Sequence, residues 1–155
     1  MEPVFRPAKY RDISALCMGL ENAFVPLLKK FYPGGYYAYF IASTWVKDKI
    51  DKEFVYVCQL GNEVVGGIII LKNPDEKNLK LHSVYVDESY RRSGLASFII
   101  SRAEQAHGSG VLWRLETLKN LTQNTALYEK LGYEMYSAPK DTGNGLTIVY
   151  YQKRL

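Results

Sequence analysis

The feature that most constrains the fold of this chain is a change, near residue 95, in the spacing of its apolar residues. Before that point, residues 54–60 and 64–71 are β-branched and aromatic runs separated by Gly61-Asn62-Glu63, which predicts a β-hairpin. A third run, residues 79–86, is apolar on both faces near its end, as a strand covered on both sides would be. From Leu95 the apolar residues recur at helical spacing. This order predicts antiparallel strands followed by a strand–helix–strand crossover.

The whole pattern predicts an α/β fold with a mixed central sheet of about six or seven strands and about four helices. We expect a single domain spanning residues 1–155, long enough to bury a core without a disulfide or a metal ion. The other predicted elements are a strand at 4–6, a helix with Asp12 as its N-cap, a helix through Trp45 to about Ile50, a strand at 111–117, a helix at 122–131 and a final pair of strands around the loop at 141–145.

Composition narrows the class of protein. Hydrophobic residues make up 47% of the chain and charged residues 23%, which is globular composition and excludes a disordered chain or a fibre. The longest apolar run, residues 64–71, is far shorter than the ~20 residues of a membrane span, and residues 1–9 lack the apolar run of a secretory signal. We therefore expect a cytoplasmic protein with no membrane partner. A net charge of +4 without a basic stripe gives no support for nucleic acid as a partner.

Neither the cysteines nor the histidines are grouped as metal ligands usually are. Cys17 and Cys58 are far apart, the chain has no Cys-x-x-Cys, and it contains only two histidines. We expect no metal site, no structural disulfide, and two cysteines that act as small buried apolar side chains.

The segment with the clearest chemistry is the loop that joins the strand ending at Val86 to the helix beginning near Leu95. The first N–H groups of a helix lack internal partners and lie at the positive end of its dipole, so a phosphate binds there. Gly94 and Ala96 allow close approach of a ligand to that backbone. Arg91 and Arg92 add positive charge, and the guanidinium group can bond phosphate oxygens in pairs.

This loop and a later helix resemble the GNAT superfamily of N-acetyltransferases. The family pattern of a valine, a few residues and then Q/R-x-x-G-x-G/A at a helix start is matched by Val86 and residues 91–96. A family helix of the form alanine, leucine, tyrosine, two residues, leucine, glycine, aromatic is matched by residues 126–133. The strand between them and the order of the earlier elements also fit. The resemblance covers most of the chain and is strongest from residue 79 to residue 133.

The resemblance implies acetyl transfer from acetyl-coenzyme A to a primary amine of a small molecule, a peptide or a protein, without a metal ion. It places the pantetheine arm of coenzyme A along one of two central strands that splay apart, and the pyrophosphate on the basic loop. The implied cofactor-binding residues are Val84, Tyr85, Val86, Arg91, Arg92, Ser93, Gly94, Leu95, Ala96 and Ser97. Many relatives also place an asparagine seven residues before the tyrosine, where this chain has Leu121. Asn124 is the cofactor-binding candidate in its place, with Asn120 as the alternative.

Two residues are candidates for the chemistry. By motif position Tyr128 would donate to the leaving thiolate, although its helical spacing also fits a core aromatic. Glu116 on the predicted fifth strand would accept the proton of the amine, since an ammonium with a pKa of roughly 10 is protonated at neutral pH. Glu116 could instead form an ion pair with Arg114 or Lys119. His82 and an ordered water are alternative bases.

Several points stay open at this stage. A non-catalytic acyl-coenzyme A-binding module is the alternative to an enzyme, the acyl group could be longer than acetyl, and a homodimer is compatible with the family.

Thirteen tyrosines are an excess, and Tyr32, Tyr36, Tyr37 and Tyr39 crowd the segment where relatives bind the acceptor. Such a pocket would favour an amine with an apolar or cationic body. Asp48, Asp51 and Glu53 could attract a cationic amine, or simply be solvated.

Overall fold

The computed structural model describes residues 1–31, 41–74, 77–143 and 145–155. It contains one mixed α/β layer structure whose elements follow the predicted order. The strands are β1 (Val4–Pro7), β2 (Phe54–Leu60), β3 (Glu63–Lys72), β4 (Asn78–Val86), β5 (Leu112–Leu118), β6 (Glu134–Met135), β7 (Lys140–Asp141) and β8 (Thr147–Arg154). The helices are α1 (Ile13–Phe31), α2 (Ser43–Lys52), α3 (Leu95–His107) and α4 (Thr122–Lys130).

The strands form one sheet in the order β1-β2-β3-β4-β5-β8-β6, with β7 also paired to β8. Every pairing is antiparallel except that of β4 with β5. The predicted fold class is therefore confirmed. The hairpin of β2 and β3 turns at Gly61, whose φ of 58° lies in the left-handed region that glycine adopts without strain.

The two central strands separate soon after they meet. β4 and β5 are paired only at Asn78 with Leu112, Leu79 with Trp113 and Lys80 with Arg114. β4 continues to Val86 beside β3, and β5 continues to Leu118 beside β8. Beyond Lys80, β4 thus has a neighbouring strand on one side only, within the described residues. The result is a cleft that opens between the two halves of the sheet.

Each face of the sheet is covered by a different pair of helices. On one face α3 and α4 pack over a buried cluster that includes Ile99, Trp113 and Tyr128. On the other face α1 and α2 pack over a cluster that includes Leu16 and Val46. β4 contributes to both clusters, as its apolar character on both faces predicts.

The start of α1 differs from the prediction. Asp12 is not its N-cap: it belongs to a 3₁₀ turn (Tyr10–Asp12) that leads directly into the helix. The Asp12 carboxylate accepts a hydrogen bond from the Lys9 backbone N–H at 2.8 Å and forms an ion pair with Arg6 at 2.8 Å. The Arg6 guanidinium holds the pKa of Asp12 below its ordinary value. Because Arg6 lies on β1, this carboxylate ties the first strand to the first helix.

The helix α1 also continues through Pro26 to Phe31. A proline within a helix removes one backbone hydrogen bond but does not always end it when tertiary packing supports the helix. The described part of the chain has no helix long and apolar enough to cross a membrane.

Candidate active site

The cleft between β4 and β5 brings the two halves of the predicted site to the same end of the sheet. Val84, Tyr85 and Val86 pair with β3 through Ile68, Gly67 and Gly66 respectively. Their other edge faces the cleft. The Tyr85 side chain is only 4% exposed and packs beneath α1, so this residue can meet a ligand in the cleft through its backbone alone.

A short basic loop connects β4 to α3. Arg91 is anchored, because its Nε donates to the Val86 carbonyl oxygen at 3.2 Å. Arg92 is exposed, and no hydrogen bond or ion pair holds its side chain within the described residues. Its φ of 62° is in the left-handed region, which costs a non-glycine residue about 1–2 kcal/mol. Strain of this kind is typical of ligand-binding loops.

Gly94 ends this loop as the N-cap of α3, with φ of 81°. Its carbonyl accepts from Phe98, while no acceptor within the described residues is paired with the N–H groups of Leu95, Ala96 and Ser97. These are the unpaired donors of a helix start. The Ser93 hydroxyl donates to the Tyr90 carbonyl oxygen, which fixes the turn before the glycine. The predicted phosphate-binding residues are thus together, with their donors available.

Tyr128 lies on α4, and its ring packs within the core. The residue is 6% exposed, and its ring contacts those of Tyr133 at 5.9 Å and Tyr151 at 6.4 Å between centroids. Within the described residues the hydroxyl has no hydrogen-bond partner, and it is not among the fully buried unpaired polar atoms. Burial raises the pKa of Tyr128 to about 12, so the phenol keeps its proton at neutral pH. It is a free donor.

The two neighbouring tyrosines, by contrast, have structural partners. Tyr133 donates to the buried carboxylate of Glu104 at 2.9 Å, and Lys153 binds the other oxygen of Glu104 at 3.1 Å. Tyr151 donates to Glu129 at 2.9 Å. Tyr128 is therefore the member of this aromatic cluster whose hydroxyl is available for a ligand.

Glu116 lies on β5 two residues beyond the last pairing with β4. Its carboxylate binds the Lys80 ammonium at 2.5 Å, and both side chains are a little over 40% exposed. The predicted alternatives for its partner, Arg114 and Lys119, are wrong: Arg114 donates to Gln152 at 3.3 Å instead. The partner comes from β4 because the parallel pairing brings Lys80 beside the start of the cleft.

His82 occupies an irregularity in β4. Ser83 pairs with Ile69 and Leu81 pairs with Ile70, so His82 is an extra residue that has no partner on β3. Its Nδ1 is 2.6 Å from the Ser83 hydroxyl, and its ring lies 5.7 Å from that of Trp45 on α2. Loss of hydration, with smaller effects from Lys80 and Lys49, lowers the pKa of His82 below its ordinary value. The imidazole is therefore mainly neutral at pH 7.

The two asparagines are used differently. The side chain of Asn120 donates to the Gly145 carbonyl at 3.0 Å and accepts from the Thr147 N–H at 3.1 Å, so it joins the end of β5 to the start of β8. Asn124 is partly buried on the first turns of α4, and within the described residues its side chain makes no hydrogen bond. Of the two amides, Asn124 is the one available to a ligand.

Other predicted features lie elsewhere. The four tyrosines at 32, 36, 37 and 39 are outside the described residues. The acidic residues of α2 and its end already have partners: Asp48 binds Lys52 at 2.8 Å, Asp51 binds Lys47 at 3.2 Å, and Glu53 accepts from the Lys72 N–H at 2.7 Å. No group of three or more possible metal ligands occurs in the described parts of the chain.

A cavity that no sequence pattern predicted lies on the α1 and α2 side of β4. Its volume is about 350 Å³. It is lined by Leu20, Phe24, Ile41, Ala42, Trp45, His82 and Ser83. Its polar end, formed by His82 and Ser83, lies on β4 just beyond the last pairing with β5. A ligand in the cleft and a second ligand in this cavity would meet there.

Comparison with known proteins agrees with this geometry. The model of the acetyltransferase (GNAT) family matches residues 21–133, more than two thirds of the chain. No curated protein matches the sequence.

Solved structures are similar over almost the whole chain. The ribosomal-protein-S18-alanine N-acetyltransferase from Escherichia coli has a TM-score of 0.74 at 13% identity, over 97% of this chain and 92% of that chain. An N-acetyltransferase from Staphylococcus aureus has a TM-score of 0.75 at 17% identity, over 99% of both chains. An acetyltransferase of the GNAT family from Streptococcus pneumoniae has a TM-score of 0.71 at 14% identity, over 99% of this chain and 100% of that chain. At these identities the likeness establishes the fold.

Proposed function

The chain belongs to the acetyltransferase (GNAT) family, and from that membership and the geometry of the cleft we propose that it transfers an acetyl group from acetyl-coenzyme A to a primary amine. The observation that carries the proposal is the free Tyr128 hydroxyl on α4, the helix that packs on β5, together with a cleft between β5 and a β4 edge that is unpaired beyond Lys80. The thioester of acetyl-coenzyme A supplies the activated acetyl group.

The donor molecule fits the residues that are present. The free edge of β4 at Val84, Tyr85 and Val86 offers backbone groups to the pantetheine amides, as an added strand would. The N–H groups of Leu95, Ala96 and Ser97 and the charge of Arg92 suit the pyrophosphate. Ser93 and Gly94 shape that turn, Arg91 holds it, and Asn124 offers an amide from α4.

Tyr128 then stabilises the departing thiolate. A thiol ordinarily has a pKa near 8.5, well below the value of about 12 that burial gives Tyr128. A complete proton transfer from Tyr128 to the thiolate is thus unfavourable, and we assign the hydroxyl the role of a hydrogen-bond donor. A hydrogen bond to a charged acceptor is worth about 1.5–3 kcal/mol.

Glu116 is our proposed base for the amine. The carboxylate lies on β5 where the cleft begins, and its charge partly offsets the loss of hydration that lowers the pKa of His82. Lys80 must release or share Glu116 for it to accept a proton. His82, which is neutral and lines the cavity, is the alternative base.

The proposal is tested with the whole chain in a thiol-release assay supplied with acetyl-coenzyme A and a panel of amines. We expect amine-dependent thiol release, and in Tyr128→Phe a fall in kcat of about tenfold to a hundredfold, because one charge-assisted hydrogen bond is lost. The dissociation constant for acetyl-coenzyme A, measured by calorimetry, should not change.

Tyr151→Phe is the matched control, since its hydroxyl bonds Glu129 rather than a ligand. It should keep the parent kcat. Equal rates in Tyr128→Phe and the parent would remove Tyr128 from the mechanism. Tight acetyl-coenzyme A binding without thiol release for any amine would instead favour the non-catalytic binding module.

A further inference from the structure

The cavity beside α2 has apolar walls and one polar end. Of the seven described residues that line it, five are apolar, and the two others, His82 and Ser83, are adjacent on β4. Ser83 is 7% exposed, whereas His82 reaches the opening. A bound amine would thus place its nitrogen at the β4 end and its body among Leu20, Phe24 and Trp45.

The size of the cavity limits that body. Its volume is about 350 Å³. A water molecule in the liquid occupies about 30 Å³, so the space holds about ten non-hydrogen atoms. One aromatic ring on a short chain, or a branched alkyl group, fills it. An aminoglycoside extends well beyond it, whereas a short polyamine fits by size and is disfavoured only by its second charge.

The charges around the cavity disfavour a second cation. Among the described residues, no aspartate or glutamate lines it. Three charged groups act on His82 at the polar end of the cavity: the ammonium groups of Lys80 and Lys49, and the carboxylate of Glu116. Lys80 is bound to Glu116, and Lys49 lies 5.4 Å from the centre of the Trp45 ring, where it already uses the attraction of that ring for cations.

A charged group inside apolar walls is costly without a partner, and the described residues at the apolar end of the cavity offer none to a second ammonium. We propose that the acetyl acceptor is a primary amine carried on a single uncharged aromatic or branched apolar body, bound in the cavity between α1, α2 and the irregular part of β4. The inference rests on the proposed function and specifies its substrate class. Burial of one ring contributes about 2 kcal/mol, or about thirtyfold in kcat/KM.

The wild-type test compares phenethylamine, isoamylamine, putrescine, spermidine and a tripeptide beginning with alanine as acceptors. We expect kcat/KM for phenethylamine to exceed that for putrescine at least about tenfold. Direct binding of phenethylamine, followed by saturation-transfer NMR without acetyl-coenzyme A, gives a readout that does not depend on acetyl transfer.

Ala42 offers a matched pair of variants. It is the N-cap of α2 and makes no capping bond through its side chain, and aspartate and asparagine are both preferred there, so both variants should fold. Ala42→Asp places a carboxylate in the cavity wall, and Ala42→Asn places a neutral group of the same shape. We expect Ala42→Asp to shift the phenethylamine-to-putrescine ratio toward putrescine by about tenfold, and Ala42→Asn to shift it less than threefold.

The outcomes separate the two proposals. Turnover of putrescine, spermidine or the tripeptide as fast as phenethylamine would overturn the acceptor class while leaving acetyl transfer intact. Binding of phenethylamine that Ala42→Asp weakens and Ala42→Asn does not would support the class even if no amine released thiol, in which case the catalytic proposal alone fails. Absence of phenethylamine binding and turnover would overturn the class, and acetyl-coenzyme A calorimetry would then judge the donor site by itself.

Discussion

At the scale of single residues, the site depends on which polar atoms have no partner in the protein. Tyr128 and Tyr133 belong to one aromatic cluster, yet of the two hydroxyls only that of Tyr133 donates a hydrogen bond to Glu104. Asn120 is occupied by backbone groups, and Asn124 is not. In each pair the residue types are the same, so the chemistry available to a ligand is decided by the neighbours.

The proposed base is the residue-scale question that mutation can answer. Glu116→Gln removes the proton acceptor and should lower kcat by about a hundredfold, the usual contribution of general-base catalysis, while His82→Gln should stay within about threefold of the parent. The measurement is kcat against pH for both variants, with Lys80→Gln as a control for the lost ion pair.

The pH dependence of kcat distinguishes the two candidate bases. Because burial lowers the pKa of His82 below its ordinary value of 6.5, His82 as the base would support activity above that lowered pKa and lose it as the pH falls through it. If His82→Gln abolishes an acid limb below pH 6.5 and Glu116→Gln leaves the profile unchanged, the base is His82 and our assignment is wrong.

At the scale of secondary-structure elements, the packing of α1 on the sheet depends on a glycine within the helix. A Cβ on Gly19 would lie 2.0 Å from the Tyr85 ring. The absence of a side chain lets α1 approach β4, and that approach positions Leu20 and Phe24 in the cavity wall. Glycine has a low helix propensity, and at this position that cost is offset by the close contact between α1 and β4.

Gly19→Ala should therefore destabilise the protein, although glycine-to-alanine changes inside helices usually stabilise by about 1 kcal/mol. Forced overlap with Tyr85 costs about 1–3 kcal/mol, which urea denaturation would measure as a lower free energy of unfolding. Asn22→Ala, exposed on the same helix, is the control and should be neutral or slightly stabilising. Adding Tyr85→Leu to Gly19→Ala should recover part of the loss, and simple additivity of the two changes would contradict the proposed clash.

At the scale of the whole molecule, two half-sheets meet through a short seam. Within the described residues, β4 and β5 are paired through the backbone at only three positions, beside the ion pair of Lys80 with Glu116. A donor molecule lying in the cleft would add contacts across this seam, to β4 and the loop on one side and to α4 on the other. We therefore expect the binding of acetyl-coenzyme A to raise the free energy of unfolding of the whole protein.

Acetyl-coenzyme A at about 100 times its dissociation constant should stabilise the protein by about 2.7 kcal/mol, which is about 5–10 °C in the melting temperature of a domain of this size. Replacing Arg91 and Arg92 by alanine should reduce this shift and its dependence on salt, because two charges near the phosphates are lost. The control with the same change in charge is Arg102→Ala with Lys130→Ala, on exposed positions of α3 and α4. If the control loses as much of the shift as the loop variant, the loop does not hold the phosphates.

The elements and their order, the basic loop with Gly94 at a helix start, and the position of Tyr128 could all be predicted from the sequence, because local spacing and capping residues indicate them. The sequence could not show that β4 and β5 part after three pairs, that Lys80 rather than a neighbour in sequence binds Glu116, or that His82 is the extra residue facing a cavity with α2. It also misplaced Asp12, whose partner Arg6 lies on another element. Only the tertiary structure decided these points, because each depends on contacts between residues distant in the chain, and a local pattern carries no information about which distant group occupies a given polar atom.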